Sequence, residues 1–370
     1  MRVYLDNNAT TAIDPGVLAV LEDAMREFYG NASSIHREGQ TARRVIENAR
    51  ESVAQLIGAT ARELVFTSGG TESNNAAIFG AVSSDGRFHI VTTEIEHPSV
   101  AEAVRELERR GHEVTRIAPS RSGEVSAEAV IAAMRAETRL VTVMMANNET
   151  GVVQPVAKIG PVCRERGVHF HVDAVQAAKK IAVDVDEIAC DTLSLSAHKL
   201  HAPKGIGALY VRRGVTMSSH MHGGAQERRR RAGTENVPLA AAFGAAAALP
   251  DASSRMAALR DQLEQDLKSM DVTINGVDAR RLPNTSNVTF RGADGEGIVI
   301  ALDLSGVAVS TGSACSSGRV EASPVLLAMG LAPEDARATV RFSLSRFTTA
   351  GEIDRAVTLV RELVPRCVKS

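Results

Sequence analysis

The chain has 370 residues, of which 44% are hydrophobic and 23% charged, so it can bury a sizeable core and is not disordered. A net charge of −2 and only 3% aromatic residues argue against a protein that binds nucleic acid. Cys163, Cys190, Cys315 and Cys367 form no CxxC pair, which argues against a zinc ribbon and indicates a reducing compartment. With no signal peptide and no long apolar run visible, we expect a cytoplasmic protein without a membrane span.

Short β-branched runs alternate with amphipathic helical stretches through the first two thirds of the chain. The predicted strands are Leu64–Thr67, Phe88–Thr93, Arg139–Met145, Val168–Val172, Thr192–Ser196 and Gly207–Val211. Helical patterns separate them, for example at Val100–Arg110 and Val156–Arg166. Most of these strands are apolar throughout. The sequence therefore predicts an α/β fold in which crossover helices cover both faces of a parallel sheet.

The pattern changes near Pro250, at the end of an Ala-rich run that predicts a buried helix, Val237–Pro250. The sequence then predicts a long charged helix at Asp251–Met270, followed by strands at Val272–Asn275 and Ser286–Arg291. A Gly/Ser-rich loop at Ser310–Gly318 and two more helices come after them. We therefore predict a domain boundary near Pro250.

Lysine is scarce, with only seven in the chain, and Lys199 follows the predicted strand Thr192–Ser196 among small polar residues and histidines. A lysine that is partly desolvated there has a lowered pKa, as an amine nucleophile requires. The alternative is a surface lysine at a strand end.

The segment Thr67–Asn75 takes a strand through a glycine pair into a helix. The backbone N–H groups at that helix start, with the Thr71 hydroxyl, can hold a phosphate group. An ordinary Ser/Thr helix cap is the alternative. No lysine follows the glycines, and GxGxxG is absent, so neither a Walker motif nor a nicotinamide site is supported.

The segment HFHVDAVQ (169–176) ends a strand at Asp173, at the sheet edge where α/β proteins bind ligands. A buried carboxylate there needs a cationic partner, such as a protonated ring nitrogen. His169 and His171 share a face, but no third metal ligand is evident at a suitable spacing. A phosphate site, a carboxylate and a reactive lysine are together the groups that pyridoxal 5′-phosphate requires.

Ten segments in order resemble a group I cysteine desulfurase of the iron–sulfur cluster and nitrogenase-maturation type, a pyridoxal-phosphate enzyme. They are YLDNNATT (4–11), YGNASSIH (29–36), FTSGGTESNN (66–75), EHPSV (96–100), NNETGVVQP (147–155), HVDAVQ (171–176), SAHKLHAPKGIGALYVR (196–212), GGAQERRRRAGTEN (223–236), STGSACSSG (310–318) and RFSLSRFTT (341–349). The resemblance runs nearly end to end.

The resemblance implies the fold type I aminotransferase architecture, with a mostly parallel seven-stranded sheet in a large domain, residues 13–250. A smaller α+β domain, residues 1–12 and 251–370, would carry a loop at about 310–322 that contains the catalytic cysteine. The implied activity converts L-cysteine to L-alanine, passing sulfur to an acceptor protein for iron–sulfur cluster assembly or tRNA thiolation. A homodimer is implied, without direct contact to nucleic acid or membrane.

The resemblance also assigns a role to each matched position. Lys199 matches the lysine that binds the cofactor, Cys315 the nucleophile that becomes a persulfide, and His97 the imidazole stacked on the ring. Asp173 matches the partner of the ring nitrogen, and Gln176 matches the ligand of the phenolic oxygen. The phosphate ligands are matched by Gly70, Thr71, Ser196, His198 and, from the other subunit, Thr234. Asn148 and Arg341 match the ligands of the substrate carboxylate.

Two departures and two alternatives accompany this resemblance. Ala322 replaces a usual proline, with Pro324 following, and His201 begins an unusual His-Ala-Pro. A selenocysteine lyase or small-substrate transaminase would share the fold, and a sulfur-trafficking scaffold with a dead site would share the surface. The basic run Arg228–Arg231 lies within a matched segment, which argues against a nucleic-acid site.

Overall fold

The computed structural model describes residues 2–82, 86–311 and 321–368. Its strands are β1 (Val3–Tyr4), β2 (Leu64–Thr67), β3 (His89–Thr93), β4 (Glu113–Ile117), β5 (Thr138–Met144), β6 (His169–Asp173), β7 (Thr192–Ser196), β8 (Gly207–Val211), β9 (Val272–Ile274), β10 (Thr285–Phe290), β11 (Val307–Ala308) and β12 (Thr339–Ser343).

The helices precede, connect and follow these strands. They are α1 (Pro15–Glu27), α2 (Arg37–Gln55), α3 (Gly70–Ala81), α4 (Pro98–Arg109), α5 (Ala127–Ala133), α6 (Val156–Arg166), α7 (Val185–Ile188), α8 (Val237–Ala247), α9 (Ser253–Leu267), α10 (Gly295–Leu304), α11 (Pro324–Ala328), α12 (Pro333–Arg337) and α13 (Ala350–Leu363). In the described ranges, none of them combines the length and hydrophobicity that a membrane span needs.

A seven-stranded sheet forms the centre of the fold, in the order β2-β8-β7-β6-β5-β3-β4. β8 runs antiparallel to both of its neighbours, and the other pairings are parallel. Nearly every residue of the inner strands is buried, as their apolar sequences predict. The predicted α/β class and the mostly parallel sheet of seven strands are confirmed, and the predicted strands match within one residue at each end.

The edge strand β4 is the one strand of this sheet that the sequence analysis missed. It pairs only with β3, and Glu113 and Arg116 are exposed on it. Charged side chains on an edge strand protect it from pairing with other chains, but they also remove the apolar run that identifies a buried strand.

A second, antiparallel sheet, β12-β10-β9, packs with α9, α10 and α13 around a core of its own. The N-terminal strand β1 joins this core through Val3 and pairs with β11. By contrast, α11 and α12 pack on the core of the large sheet through residues such as Val325 and Ala336. The domain division at Pro250 stays a prediction.

The packing of α6 on α7 predicts a site where a single methyl group is destabilising. A β-carbon added at Gly160 would lie 1.8 Å from the backbone oxygen of Ile188. We expect Gly160→Ala to lower the free energy of unfolding by about 2–3 kcal/mol, because the helix must shift. Gly351→Ala, in α13 with no atom within 4 Å of the added carbon, should be neutral or slightly stabilising. Urea unfolding followed by circular dichroism compares the two, and equal midpoints would contradict the packing described.

Candidate active site

Five strands of the central sheet end at one edge, and the candidate residues follow those ends. β2 leads into Gly70, β3 towards His97, and β5 towards Asn148. β6 ends at Asp173, and Ser196 closes β7. Because β2 is antiparallel to β8, and β8 to β7, β2 points the same way as the parallel strands. The sheet topology therefore brings together residues far apart in the sequence.

The cavity at this edge has a volume of about 760 Å³, ample for a cofactor with a small substrate. Ten of the twelve predicted site residues line it: Gly70, Thr71, His97, Asn148, Asp173, Gln176, Ser196, His198, Lys199 and Arg341. Thr234 is exposed and outside this lining. Cys315 lies outside the described residues, but Ser310 and Thr311 line the cavity, four positions before it.

Lys199 lies in a short 3-10 turn, Ala197–Lys199, directly after β7. Its side-chain amine reaches the N-terminal segment. It donates hydrogen bonds to the backbone oxygens of Asn8 and, at 2.7 Å, Ala9. Burial, together with the positive charge of Arg341, lowers the pKa of Lys199 to about 8. A much larger fraction of this amine is therefore neutral near physiological pH than for an exposed lysine. The alternative of an ordinary surface lysine is wrong.

Asp173 is buried at the end of β6, and each of its carboxylate oxygens accepts one hydrogen bond. Its Oδ2 accepts from Asn74 Nδ2 at 2.8 Å, and its Oδ1 accepts from the Val175 N–H at 3.0 Å. The Asn74 oxygen is in turn 3.0 Å from His171 Nε2. These contacts hold the carboxylate in a fixed position towards the cavity. Asn74, in α3, was not predicted as a site residue, although it lies in the segment Thr67–Asn75 that the sequence analysis singled out.

His97 caps α4 and is joined to Asp173 through two side chains. Its Nδ1 accepts the Ser99 N–H at 3.1 Å and is 2.7 Å from Ser99 Oγ. Ser99 Oγ accepts from Asn74 Nδ2 at 2.8 Å, which completes the path to Asp173. Since Nδ1 accepts a hydrogen bond, the proton of the neutral ring is on Nε2. Burial lowers the pKa of His97, so the ring is suited to stacking and to proton exchange.

The start of α3 forms a pocket for an anion. No side chain caps its first turn, so the backbone N–H groups there remain to be used by a ligand. Gly70 packs so closely that a β-carbon would lie 2.9 Å from Val175. Glu72 in the first turn would repel an anion, but Arg231 binds both of its carboxylate oxygens, at 2.9 and 3.3 Å. The alternative of an ordinary Ser/Thr cap is wrong, because the N-cap is Gly69 without a side-chain bond.

Arg341, in β12, brings a guanidinium to the cavity from the second sheet. It donates to Asp6 Oδ1 at 2.7 Å and to the Asn148 backbone oxygen at 3.0 Å. Its Nε is buried and has no partner among the described residues. A buried, unpaired N–H is costly, and a ligand carboxylate would satisfy it.

Hydrogen bonds engage both histidines of β6. His171 Nδ1 and His169 Nε2 both contact Thr192 Oγ1 at 3.0 Å, and His171 Nε2 contacts Asn74. In the part of the chain that the structure describes, no group of three or more His, Cys, Asp or Glu residues could hold a metal ion. Hydrogen bonding explains both histidines.

Known proteins resemble this chain in both sequence and fold. The aminotransferase class-V family matches residues 3–356. A protein of Nostoc sp. (strain PCC 7120) named cysteine desulfurase is 46% identical over 98% of this chain and 93% of its own length. A solved NifS-like protein superposes with a TM-score of 0.90 at 34% identity, covering 99% of this chain and 100% of its own. The solved structure of SspA in complex with cysteine gives a TM-score of 0.86 at 36% identity, covering 94% of this chain and 100% of its own.

The chain belongs to the aminotransferase class-V family. Its fold is therefore that of the fold type I pyridoxal-phosphate enzymes, and within the family it groups with the cysteine desulfurases.

The residues of this cavity fit pyridoxal phosphate. The uncapped start of α3 suits the phosphate, the Asp173 carboxylate suits a protonated ring nitrogen, and the Lys199 amine is largely desolvated. A cavity lined by these three groups suits an anionic ring compound better than a neutral one.

The pKa of Lys199 predicts an unusual labelling profile for the cofactor-free protein. We expect its reaction with an amine reagent to reach half of its maximal rate near pH 8, since only the neutral amine reacts. Arg341→Met should move this midpoint upward, because the positive charge that opposes protonation is removed. The measurement is mass spectrometry of the Lys199 peptide. The same peptide in urea-unfolded protein serves as control, with an expected midpoint at about pH 10.4. Equal midpoints in folded and unfolded protein would contradict the assignment.

Proposed function

We propose that the protein is a pyridoxal-phosphate-dependent cysteine desulfurase, which converts L-cysteine to L-alanine and carries the sulfur as a persulfide on Cys315. The observation that carries this proposal is one cavity holding a desolvated lysine, a fixed carboxylate and a guanidinium with an unpaired N–H. The 46% identity to a named cysteine desulfurase supports the choice of substrate.

Different residues of the cavity would bind different groups of the cofactor. Gly70, Thr71, Ser196 and His198 would hold the phosphate, and Gln176 the phenolic oxygen. Asp173 would keep a proton on the ring nitrogen, and His97 would cover one ring face. When bound, pyridoxal phosphate supplies an electron sink that acidifies the α-carbon of an amino acid.

Substrate binding and proton transfer fall to three residues. Arg341 and Asn148 bind the carboxylate of L-cysteine, which orients its α-carbon towards Lys199. The Lys199 amine, with a pKa of about 8, then accepts the α-proton and returns it during product formation. An ordinary lysine would be almost fully protonated at neutral pH and a poor base.

Sulfur transfer requires the Cys315 thiolate. It attacks the sulfur of the bound L-cysteine, so that an S–S bond forms while the carbon–sulfur bond breaks and its electron pair stays on carbon. That carbon takes up a proton and leaves as L-alanine, and Cys315 remains as a persulfide. An ordinary cysteine is only a few per cent thiolate at neutral pH, so His97 is the residue that we propose accepts thiol protons.

The finer assignments complete the proposal. Thr234, exposed in the single chain, would reach the phosphate of a partner subunit in a homodimer. The sulfur would pass to an acceptor protein, an iron–sulfur scaffold or a tRNA thiolation factor. A reducing, cytoplasmic setting suits a persulfide carrier, and Cys163, Cys190 and Cys367 are all free thiols.

The product balance with and without Cys315 tests the proposal. With L-cysteine and a reductant, the wild-type protein should release equal amounts of alanine and sulfide. Cys315→Ala should bind cofactor and substrate normally but lose both products by at least about a hundredfold, because no other thiol replaces the nucleophile. Cys367→Ala removes a half-exposed thiol elsewhere and should behave as wild type.

Other outcomes of this assay favour the alternatives. Normal alanine release by Cys315→Ala would indicate a lyase that needs no thiol. A visible cofactor band with amino-group transfer but no sulfide would indicate a transaminase. A colourless protein that stays colourless with added pyridoxal phosphate would favour the scaffold without catalysis.

A further inference from the structure

Lys180 is a buried lysine that the mechanism above does not use. Only 7% of its surface is exposed, and it makes no ion pair with a carboxylate among the described residues. Burial of an unpaired ammonium group is costly, so a lysine in this position calls for an explanation. Its neighbour Lys179 is only half-buried and donates to the Ala247 backbone oxygen at 2.7 Å, on the side of α8.

The Lys180 amine donates to side-chain oxygens of two residues that line the cavity. One is Gln176 Oε1 at 2.7 Å, and the other is Asn8 Oδ1 at 3.3 Å. Asn8 Oδ1 also accepts from Asn284 Nδ2 at 3.0 Å, so its orientation does not depend on Lys180. For Gln176, the Lys180 amine is the donor that occupies the amide oxygen.

This contact decides which way the Gln176 amide points. With Oε1 on Lys180, Nε2 is directed to the Asn8 backbone oxygen, to which it donates at 2.9 Å. An amide nitrogen carries two hydrogens, and the Asn8 oxygen takes one of them. The second remains for a ligand in the cavity that Gln176 lines. A flipped amide would place its nitrogen against the donor amine of Lys180 and turn an acceptor towards the ligand.

The basic groups around Lys180 act in the same direction as this hydrogen bond. The titratable groups around Lys180 are Lys199, Arg341, His198 and His201, all of them bases. Burial, with the charges of Lys199 and Arg341, lowers the pKa of Lys180 well below that of an ordinary lysine. An anionic group in the cavity would stabilise the charged form of this lysine.

We propose that Lys180 is a positioning residue that fixes the Gln176 amide with its N–H towards the phenolic oxygen of the cofactor. This inference rests on the proposed function, because the phenolic oxygen belongs to pyridoxal phosphate. The amide N–H and the basic cluster stabilise negative charge on that oxygen. They thereby lower the pKa of the protonated nitrogen that links the cofactor to Lys199.

A spectroscopic pH titration of the holoenzyme tests this inference. The absorbance of the lysine-bound cofactor is recorded as the pH is varied, and the midpoint pH of its change is measured. We expect Lys180→Met to raise it by about one pH unit, because a hydrogen bond to a charged oxygen is weakened. Lys179→Met, the adjacent lysine that points to α8, should leave the midpoint unchanged.

Gln176→Met provides the second variant and the test of mechanism. It should raise the midpoint by at least as much as Lys180→Met, and the double variant should show little further change. Such non-additivity is expected if Lys180 acts through Gln176. Urea unfolding of the cofactor-free variants should show Lys180→Met as stable as wild type, because removing a buried amine that no carboxylate pairs with offsets the loss of its two hydrogen bonds.

Failure of the inference and failure of the proposed function give different results. A wild-type cofactor band with the same midpoint in Lys180→Met would overturn the inference alone, as would full additivity with Gln176→Met. A purely structural Lys180 would lower stability without moving the midpoint. A wild-type protein that binds no pyridoxal phosphate would overturn the proposed function and the inference with it.

Discussion

The buried residue Asn8 joins the two sheets of this protein through its side chain and its backbone oxygen. Its Nδ2 donates to Thr285 Oγ1 at 2.9 Å, and its Oδ1 accepts from Asn284, both in or beside the second sheet. Its backbone oxygen accepts from Lys199 and Gln176, which follow strands of the central sheet. Hydrogen bonds buried in this way are costly to leave unmade. The relative position of the sheets and the direction of the reactive amine are thus fixed together.

The same arrangement explains why three basic side chains can lie in one small volume. Lys180, Lys199 and Arg341 are all buried or largely so, and Asp6 pairs with the last of them. Neutral backbone and amide oxygens, not carboxylates, accept from the two lysines. Because these neutral acceptors, unlike carboxylates, do not neutralise the positive charges, they favour deprotonated lysine and an anionic ligand at the same time. A cavity of this kind is prepared for a phosphorylated cofactor and an amino-acid carboxylate.

The sequence predicted those features that depend on local pattern. Apolar runs marked the inner strands, and polar residues at their ends, such as Asp173 and Lys199, marked the site. The resemblance added Arg341 and His97, which no local pattern marks. Neither route identified Asn8, whose partners are up to 277 positions away, or Asn74, which joins Asp173 to Ser99. These roles arise from contacts that only the folded chain creates, so local patterns cannot show them.

Amide hydrogen exchange of an Asn8→Ala variant tests the central claim, that one asparagine holds both halves in register. Alanine keeps the backbone oxygen that accepts from Lys199 but loses the side-chain bonds that hold residue 8 in place. In the cofactor-free protein, the account therefore predicts faster exchange in β10 and, through the released backbone, also in the turn that carries Lys199. Asn275→Ala is the matched control, since Asn275 is buried and its amide nitrogen donates to Asn287 and Thr289, both in the second sheet. It should affect the second sheet alone. If Asn8→Ala also affected only one side, the two halves would be held in place by other contacts, and the account would be wrong.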